Sequence, residues 1–200
     1  MNYQRPAYEQ VMIVHGGDAV TLRPSLRAAV ILVERHGFPA LFRALDDFNL
    51  TIISEIILTA SIKRQDAAAF LSSYAGNPLF PFFLTIREPL AELVSMLQPA
   101  PDPKAKPSTG KGKPMTWMEV YSALYGVATG WLGWTPETAW NATPTEIDRA
   151  HAAHIERLVT TGIIIRDKEQ STHDPREEVA EQEVKSGLAQ LKANAKRGKQ

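Results

Sequence analysis

The stretch from Trp117 to Glu146 constrains this chain more than any other. All four tryptophans fall between Trp117 and Trp140, and two Thr-Pro pairs, Thr135-Pro136 and Thr143-Pro144, punctuate the region. A threonine hydroxyl at an N-cap accepts from an orphan backbone N–H. Proline at the first helical position gives up an N–H that has no intrahelical partner anyway. Thr143 is followed three residues on by Glu146, and Thr116 by Glu119, which is the spacing of a capping box. The stretch therefore predicts three helix starts in succession, from 117, 136 and 144. Trp117, Tyr121 and Leu124 recur at helical spacing, and Trp140 falls on the helix that Pro136 opens. Tryptophan supplies the apolar area that such short helices need in order to pack.

Several function classes are narrowed by composition. Lysine plus arginine number 22, and so do aspartate plus glutamate. No net field steers the chain toward nucleic acid or acidic lipid. There is no cysteine, which excludes disulfides, thiolate metal sites and thiol catalysis. The first residues, Met1-Asn2-Tyr3-Gln4-Arg5-Pro6, carry no apolar run of the signal-peptide kind. The most apolar runs, Leu50 to Ile62 and Leu79 to Ile86, contain Glu55 and Pro81 respectively and fall short of the roughly 20 residues that span a bilayer. The expectation is a soluble intracellular protein.

Taken in order, residues 1–10 are polar and expected to be loose. Val11 to Val14 and Ala19 to Leu22 flank His15-Gly16-Gly17-Asp18, a hairpin signal. Pro24 opens a helix with Leu26, Ala29, Val30, Leu32 and Val33 on its apolar side; Arg35, His36 and Gly37 form its stop, with glycine in a left-handed cap. Pro39 opens another helix, with Leu41, Phe42 and Leu45 apolar and Asp46-Asp47 closing it. Thr51 to Ile62 has the composition of a buried strand, but its length, the interior Glu55 and the short connections favour a helix. Ala67 to Tyr74 reads as a short helix stopped at Gly76-Asn77-Pro78. Leu79 to Phe83 reads as an aromatic connector that plugs the core, and Arg87 to Leu97 as a helix.

Composition then changes abruptly. Gln98 to Pro114 holds five prolines, four lysines, two glycines and no large apolar residue, which predicts a flexible linker. The expected organisation is a helical domain with a β-hairpin over 1–97, a linker over 98–115, a Trp-rich helical domain over 116–166, and a polar tail over 167–200 that is disordered or helical on binding. The fold class is mainly α. Ile163-Ile164-Ile165 packs back on the Trp-rich unit or serves as a docking segment. In the tail, Asp174-Pro175 starts a helix whose apolar stripe, Val179, Val184, Leu188 and Leu191, is too thin to hold it alone.

Sharper readings compete with plain ones at three places. His151 and His154 lie one turn apart with Glu146 and Asp148 nearby, but a metal site needs three or four convergent ligands, and a solvated helix face explains the pair. Ser108 to Lys113 lacks the glycine spacing and flanking elements of a phosphate loop. The tryptophans offer a base-stacking platform, yet no basic residues interleave them, so a small core or a protein-binding surface fits better. No catalytic constellation, cofactor motif or metal motif emerges, and the chain is not expected to be an enzyme.

Trp117, the turn Gly130 to Trp134, Pro136-Glu137-Thr138-Ala139-Trp140 and Thr143-Pro144-Thr145-Glu146 together resemble the small tail assembly chaperones of long-tailed phages and gene transfer agents. Ala139 stands where that family carries an aromatic residue. The hairpin followed by Leu22-Arg23-Pro24, and Glu34-Arg35-His36-Gly37 beyond it, resemble a second family found beside the first in tail operons. The two resemblances cover about 1–97 and 115–160. They imply a fused long form, joined in or near 98–115 by programmed ribosomal frameshifting; Gly110-Lys111 and Gly112-Lys113 are dipeptides that a slippery codon run can encode. The implied partners are the tape measure protein and the tail tube protein, with self-association through the N-terminal domain, and no membrane or nucleic acid. The implied location is the host bacterial cytoplasm, with no place in the mature virion. Under this reading Trp117, Tyr121, Trp131, Trp134 and Trp140 build or line the partner contact, while the plain alternative makes each a core residue of a small helical unit. The alternative function is a nucleic-acid-associated adaptor of helical domains joined by a basic linker; a small metal-dependent enzyme using His151 and His154 is a third.

Overall fold

A computed structural model describes residues 9–74, 78–101 and 115–164. The chain is mainly helical, with one antiparallel hairpin at its start. Strands β1 (Val11–His15) and β2 (Asp18–Leu22) pair from Val11 opposite Leu22 to His15 opposite Asp18. That register leaves Gly16 and Gly17 as a two-residue loop, with φ of 61° and 94°. Both angles are positive, as a tight hairpin turn requires, and glycine takes them without a Cβ clash. Val11 and Ile13 point into the core and Met12 and Val14 outward. An isolated hairpin is marginal in water. Here the Tyr74 hydroxyl donates to the His15 carbonyl at 2.7 Å. Beyond β2, the Arg23 N–H donates to the Ala60 carbonyl at 2.7 Å.

Helix α1 (Leu26–Asp46) starts at an N-cap, Ser25, whose hydroxyl accepts from the Ala28 N–H at 3.2 Å. It is two helical segments joined at Gly37, where φ is 71° and ψ is 155°. The predicted stop at Gly37 and restart at Pro39 therefore both occur. Gly37 shares the positive φ of a left-handed helical cap but differs from it in ψ, which is extended. Helix α2 (Leu50–Ala60) is capped by the Asn49 side chain. Its buried residues Ile53, Ile56, Ile57 and Ala60 repeat at helical spacing, so the strand-like composition is a helix face. Glu55 points away from that face and meets Arg35 and His36 of α1. Helix α3 (Arg64–Ser72) buries Ala67 and Phe70.

Helix α4 (Leu79–Met96) corrects one expectation. The aromatic stretch Leu79 to Phe83 is not a connector but the first turn and a half of this helix. Pro81 is tolerated there because first-turn N–H groups have no intrahelical acceptor. Phe82 and Phe83 are nonetheless buried, as expected of a core plug; Phe82 stacks on Tyr74 with centroids 4.3 Å apart.

After the linker come α5 (Trp117–Gly126), a wide π turn (Val127–Trp131), α6 (Pro136–Asn141) and α7 (Pro144–Thr160). All three predicted helix starts are present. The Thr116–Glu119 box is reciprocal: Glu119 N–H donates to Thr116 Oγ1 at 3.3 Å and Thr116 N–H donates to Glu119 Oε2 at 2.7 Å. Thr138 N–H donates to Thr135 Oγ1 at 3.2 Å.

The separation into domains 1–97 and 116–166 is a second correction. Met1–Leu158 is one compact unit. Tyr121, Ala128, Ala139, Ala142 and Ile147 belong to the same core cluster as Leu26, Leu32, Leu90 and Leu97. A polar connector marks a boundary in composition only. Of the fully buried residues after the linker only Tyr121 and Ile147 have large apolar side chains, too little to hold so short a segment by itself. Val159–Gln200 forms a second unit, described only to residue 164, in which Ile163 is exposed. The loose start, the Gly76-Asn77 stop, the linker at 102–114, Ile165 and the tail from 167 lie outside the described residues. Among the described residues no helix is long and apolar enough to cross a membrane.

Two outcomes follow from this packing. Gly37→Ala forces a side chain into a backbone region that suits glycine, and should cost about 1–3 kcal/mol in urea unfolding; a cost below about 0.5 kcal/mol would mean the kink relaxes freely. The Glu55 carboxyl is held below its ordinary range, chiefly by its hydrogen bond with His36; burial opposes this and Arg35 adds to it. A carboxyl whose folded value is depressed adds stability that is complete above its unfolded value and is lost as the pH falls through the folded one. Unfolding free energy should therefore decline below about pH 4.3, and Glu55→Gln should flatten that limb; acid titration of both proteins by circular dichroism checks it.

Candidate functional site: the aromatic segment and its junction with the hairpin

The five aromatic residues singled out by sequence go to different neighbours. Tyr121 is core, 1% exposed, and its hydroxyl donates to the Leu97 carbonyl at 3.0 Å. Burial pushes its phenol far above the ordinary range. Tyr121 therefore builds the segment's seat and does not line a surface. Trp117, 38% exposed, sets its ring edge-on to Phe38 of α1 with centroids 4.9 Å apart. Trp140 is half-buried against Tyr125, centroids 4.9 Å apart. Trp131 ends the π turn and is 58% exposed, touching only the edge of His151 among the described rings, at 5.9 Å. The plain reading thus holds for Tyr121, while Trp131 remains a large aromatic surface presented by an ordered turn.

Trp134 stands beside a polar network of the described residues. Leu132 N–H donates to the Val127 carbonyl at 3.1 Å, and Trp134 N–H to the Ala128 carbonyl at 2.9 Å. Gly133, with φ of 67°, completes the reversal and places Trp134 on the wall of a groove of about 770 Å³. Arg23, Asn141, Glu146, Arg149 and Ala150 share that groove.

Arg23 is the link between the two halves of the sequence. Its Nη2 donates to both Glu146 oxygens, at 2.8 and 2.6 Å, and its Nε donates to the Asn141 carbonyl at 2.9 Å. Both side chains are 17% exposed. Glu146 also closes its own capping box: Thr143 N–H donates to Glu146 Oε2 at 2.8 Å, and Glu146 N–H donates to Thr143 Oγ1 at 3.1 Å. One carboxylate thereby starts α7 and fixes where α7 sits. Beside it the Leu26 N–H donates to the Ala142 carbonyl at 2.7 Å, and the Ala100 N–H donates to Thr145 Oγ1 at 3.2 Å. A charge-assisted contact to two oxygens is directional, so it sets register as well as attraction.

Sequence reasoning saw Glu146 as a capping residue and as a neighbour of His151 and His154, and Arg23 only as part of Leu22-Arg23-Pro24. A signal was available. A carboxylate that spends part of its acceptor capacity on an N-cap retains capacity for a cation, and Arg23 is a cation held between an apolar residue and a proline. Arg149 faces the same groove and has no ion-pair partner among the described residues. His151 and His154 share a helix, and no group of three or more metal-ligating side chains occurs among the described residues. An aromatic wall, a neutralised arginine and a second arginine make a surface suited to binding.

No family model matches the chain, and no curated protein or solved structure matches it.

Glu146→Ala removes both a capping partner and the ion-pair acceptor. It should cost about 2–4 kcal/mol in urea unfolding. Glu146→Gln keeps a capping acceptor and should cost less. Equal, near-zero costs would show that the junction does not anchor α7.

Proposed function

We propose that this protein is a fused tail assembly chaperone of a long-tailed phage or phage-like particle, acting in the bacterial cytoplasm on the tape measure protein and the tail tube protein. The observation that carries the reading is the Arg23–Glu146 contact. These residues belong to the two stretches that resemble the two tail-operon families, and they meet in one folded unit. A tape measure protein is a long helix whose apolar stripe aggregates unless covered. The chaperone offers aromatic surface on rigid elements to cover it: Trp131 on the π turn, and Trp117 and Met118 at the start of α5, are partly exposed. A helix laid against such a surface is held by a few anchors at helical spacing. Each contact is weak and a row of chaperone copies is collectively strong, so tube subunits displace the row one copy at a time. Self-association through the N-terminal half spaces the copies along the client.

Co-expression with the longest helical protein of the same locus tests this. The full chain should keep that client soluble and co-purify with it. Met118→Ala with Trp131→Ala removes exposed surface while leaving the Trp117–Phe38 contact in place, and should lower recovery of soluble client about tenfold. If the client stays soluble with the double variant, other residues make the contact. If the unsubstituted chain neither binds nor solubilises it, the chaperone reading fails.

A further inference from the structure

We propose that segment 115–158 exchanges between two copies of this chain, docking on a neighbour's residues 9–101 at the face it covers in its own. The inference goes beyond the chaperone reading and does not depend on any client. Its first ground is that the segment's seat is specific and self-sufficient. Arg23 to Glu146, the Leu26 N–H to the Ala142 carbonyl, the Tyr121 hydroxyl to the Leu97 carbonyl, and the Ala100 N–H to Thr145 all join the segment to the rest, and every one is made by residues outside 102–114. Any copy of the segment presents the same donors, acceptors and apolar side chains to any copy of the face.

A second ground is that neither part is complete without the other. The segment buries only Tyr121 and Ile147 as large fully buried side chains, and on the other side the Phe38 ring is met by Trp117 and the Leu97 carbonyl by the Tyr121 hydroxyl. Exposed, the face is apolar and ringed by the Arg23 guanidinium and three backbone groups, the Leu26 N–H, the Leu97 carbonyl and the Ala100 N–H, a pattern that Glu146, Ala142, Tyr121 and Thr145 answer one for one. The occupant that fits is therefore the segment itself.

Length of connection is the third ground. Residues 102–114, rich in proline, lysine and glycine, join the two parts. Such a length reaches at most about 45 Å, more than the roughly 30 Å width of a small domain. Exchange leaves every contact unchanged and closes on a two-fold axis. Because the contacts are the same, concentration shifts the choice between own and neighbouring segment. A short connector supplies an effective concentration of order millimolar, so the closed monomer dominates in dilute solution and exchange grows where copies crowd together.

Two full-length variants test this. Arg23→Glu and Glu146→Arg each place like charges at the junction, in the monomer and in any dimer of one variant. A mixed, exchanged dimer instead has one native and one reversed ion pair. Co-expression of the two should give a 1:1 heterodimer by native mass spectrometry, and one chain carrying both substitutions should return to monomer. Two separate species with no heterodimer, folded or not, would overturn the proposal. A second measurement avoids destabilised variants. Two differently tagged copies of the otherwise unsubstituted chain, with a specific protease site within 104–113, are co-expressed and cleaved. Exchange predicts that the first part of one copy carries the last part of the other, above the level seen when separately expressed copies are mixed after cleavage. That ratio should rise about tenfold for each tenfold rise in concentration while exchange is minor. Recovery of own segments only, at every concentration, overturns it.

Discussion

The Arg23 guanidinium ties the end of the hairpin to the start of α7. Arg23 leaves the hairpin, passes its backbone N–H to α2 through the Ala60 carbonyl, and reaches with its side chain to the start of α7. Two charges taken largely out of water cost free energy unless their remaining hydrogen-bonding capacity is used. Here it is used: Asn141 takes Nε, and Thr143 gives its N–H to the carboxylate. The contact spans more than a hundred residues of sequence, and the apolar neighbours Leu22, Leu26, Ala142 and Ile147 are buried around it. A shift in register there would leave these buried polar groups unpaired, which costs more in a low-dielectric surrounding than in water.

Local features were legible in the sequence because their causes are local. The Gly16-Gly17 turn needs two positive φ values, and only the residues at the turn determine that. Threonine and glutamate at capping distance start α5 and α7 whatever those helices later pack against. Gly37 breaks α1 for the same reason. The run expected as a helix over Thr51 to Ile62 is helix through Ala60, with Glu55 outside at helical spacing, while Ser61 and Ile62 leave it to pair with β2. The features that escaped depend on distant partners. Leu79 to Phe83 looked like a plug between helices because proline and three aromatics suggest irregular chain, yet its burial is satisfied within a helix by Tyr74 and Phe48. The Trp-rich stretch looked like a domain because a proline- and lysine-rich run precedes it. Nothing local in 116–160 reveals that Tyr121 finds its acceptor at Leu97.

The same limit applies to the candidate site. Counting aromatics singled out this region but treated its members alike. Position along the helix separates them: Tyr121 faces inward one turn after Trp117, whereas Trp131 ends a turn widened by an extra residue. π turns of this kind recur at functional sites, since the added residue redirects side chains out of the helical row. Trp134 and Trp140 fall between these extremes, each half-buried and each serving structure on one side.

The confinement of every tryptophan to residues 117–140 has an optical consequence. Ultraviolet emission excited at the indole band reports on this segment and its seat, while residues 9–101 contribute only phenylalanine and tyrosine. Backbone circular dichroism weights the helices of both parts. The protein therefore carries two intrinsic reporters with different addresses. A loosening of the segment from its seat registers as a red-shift in emission before the helical signal falls, without any label being attached.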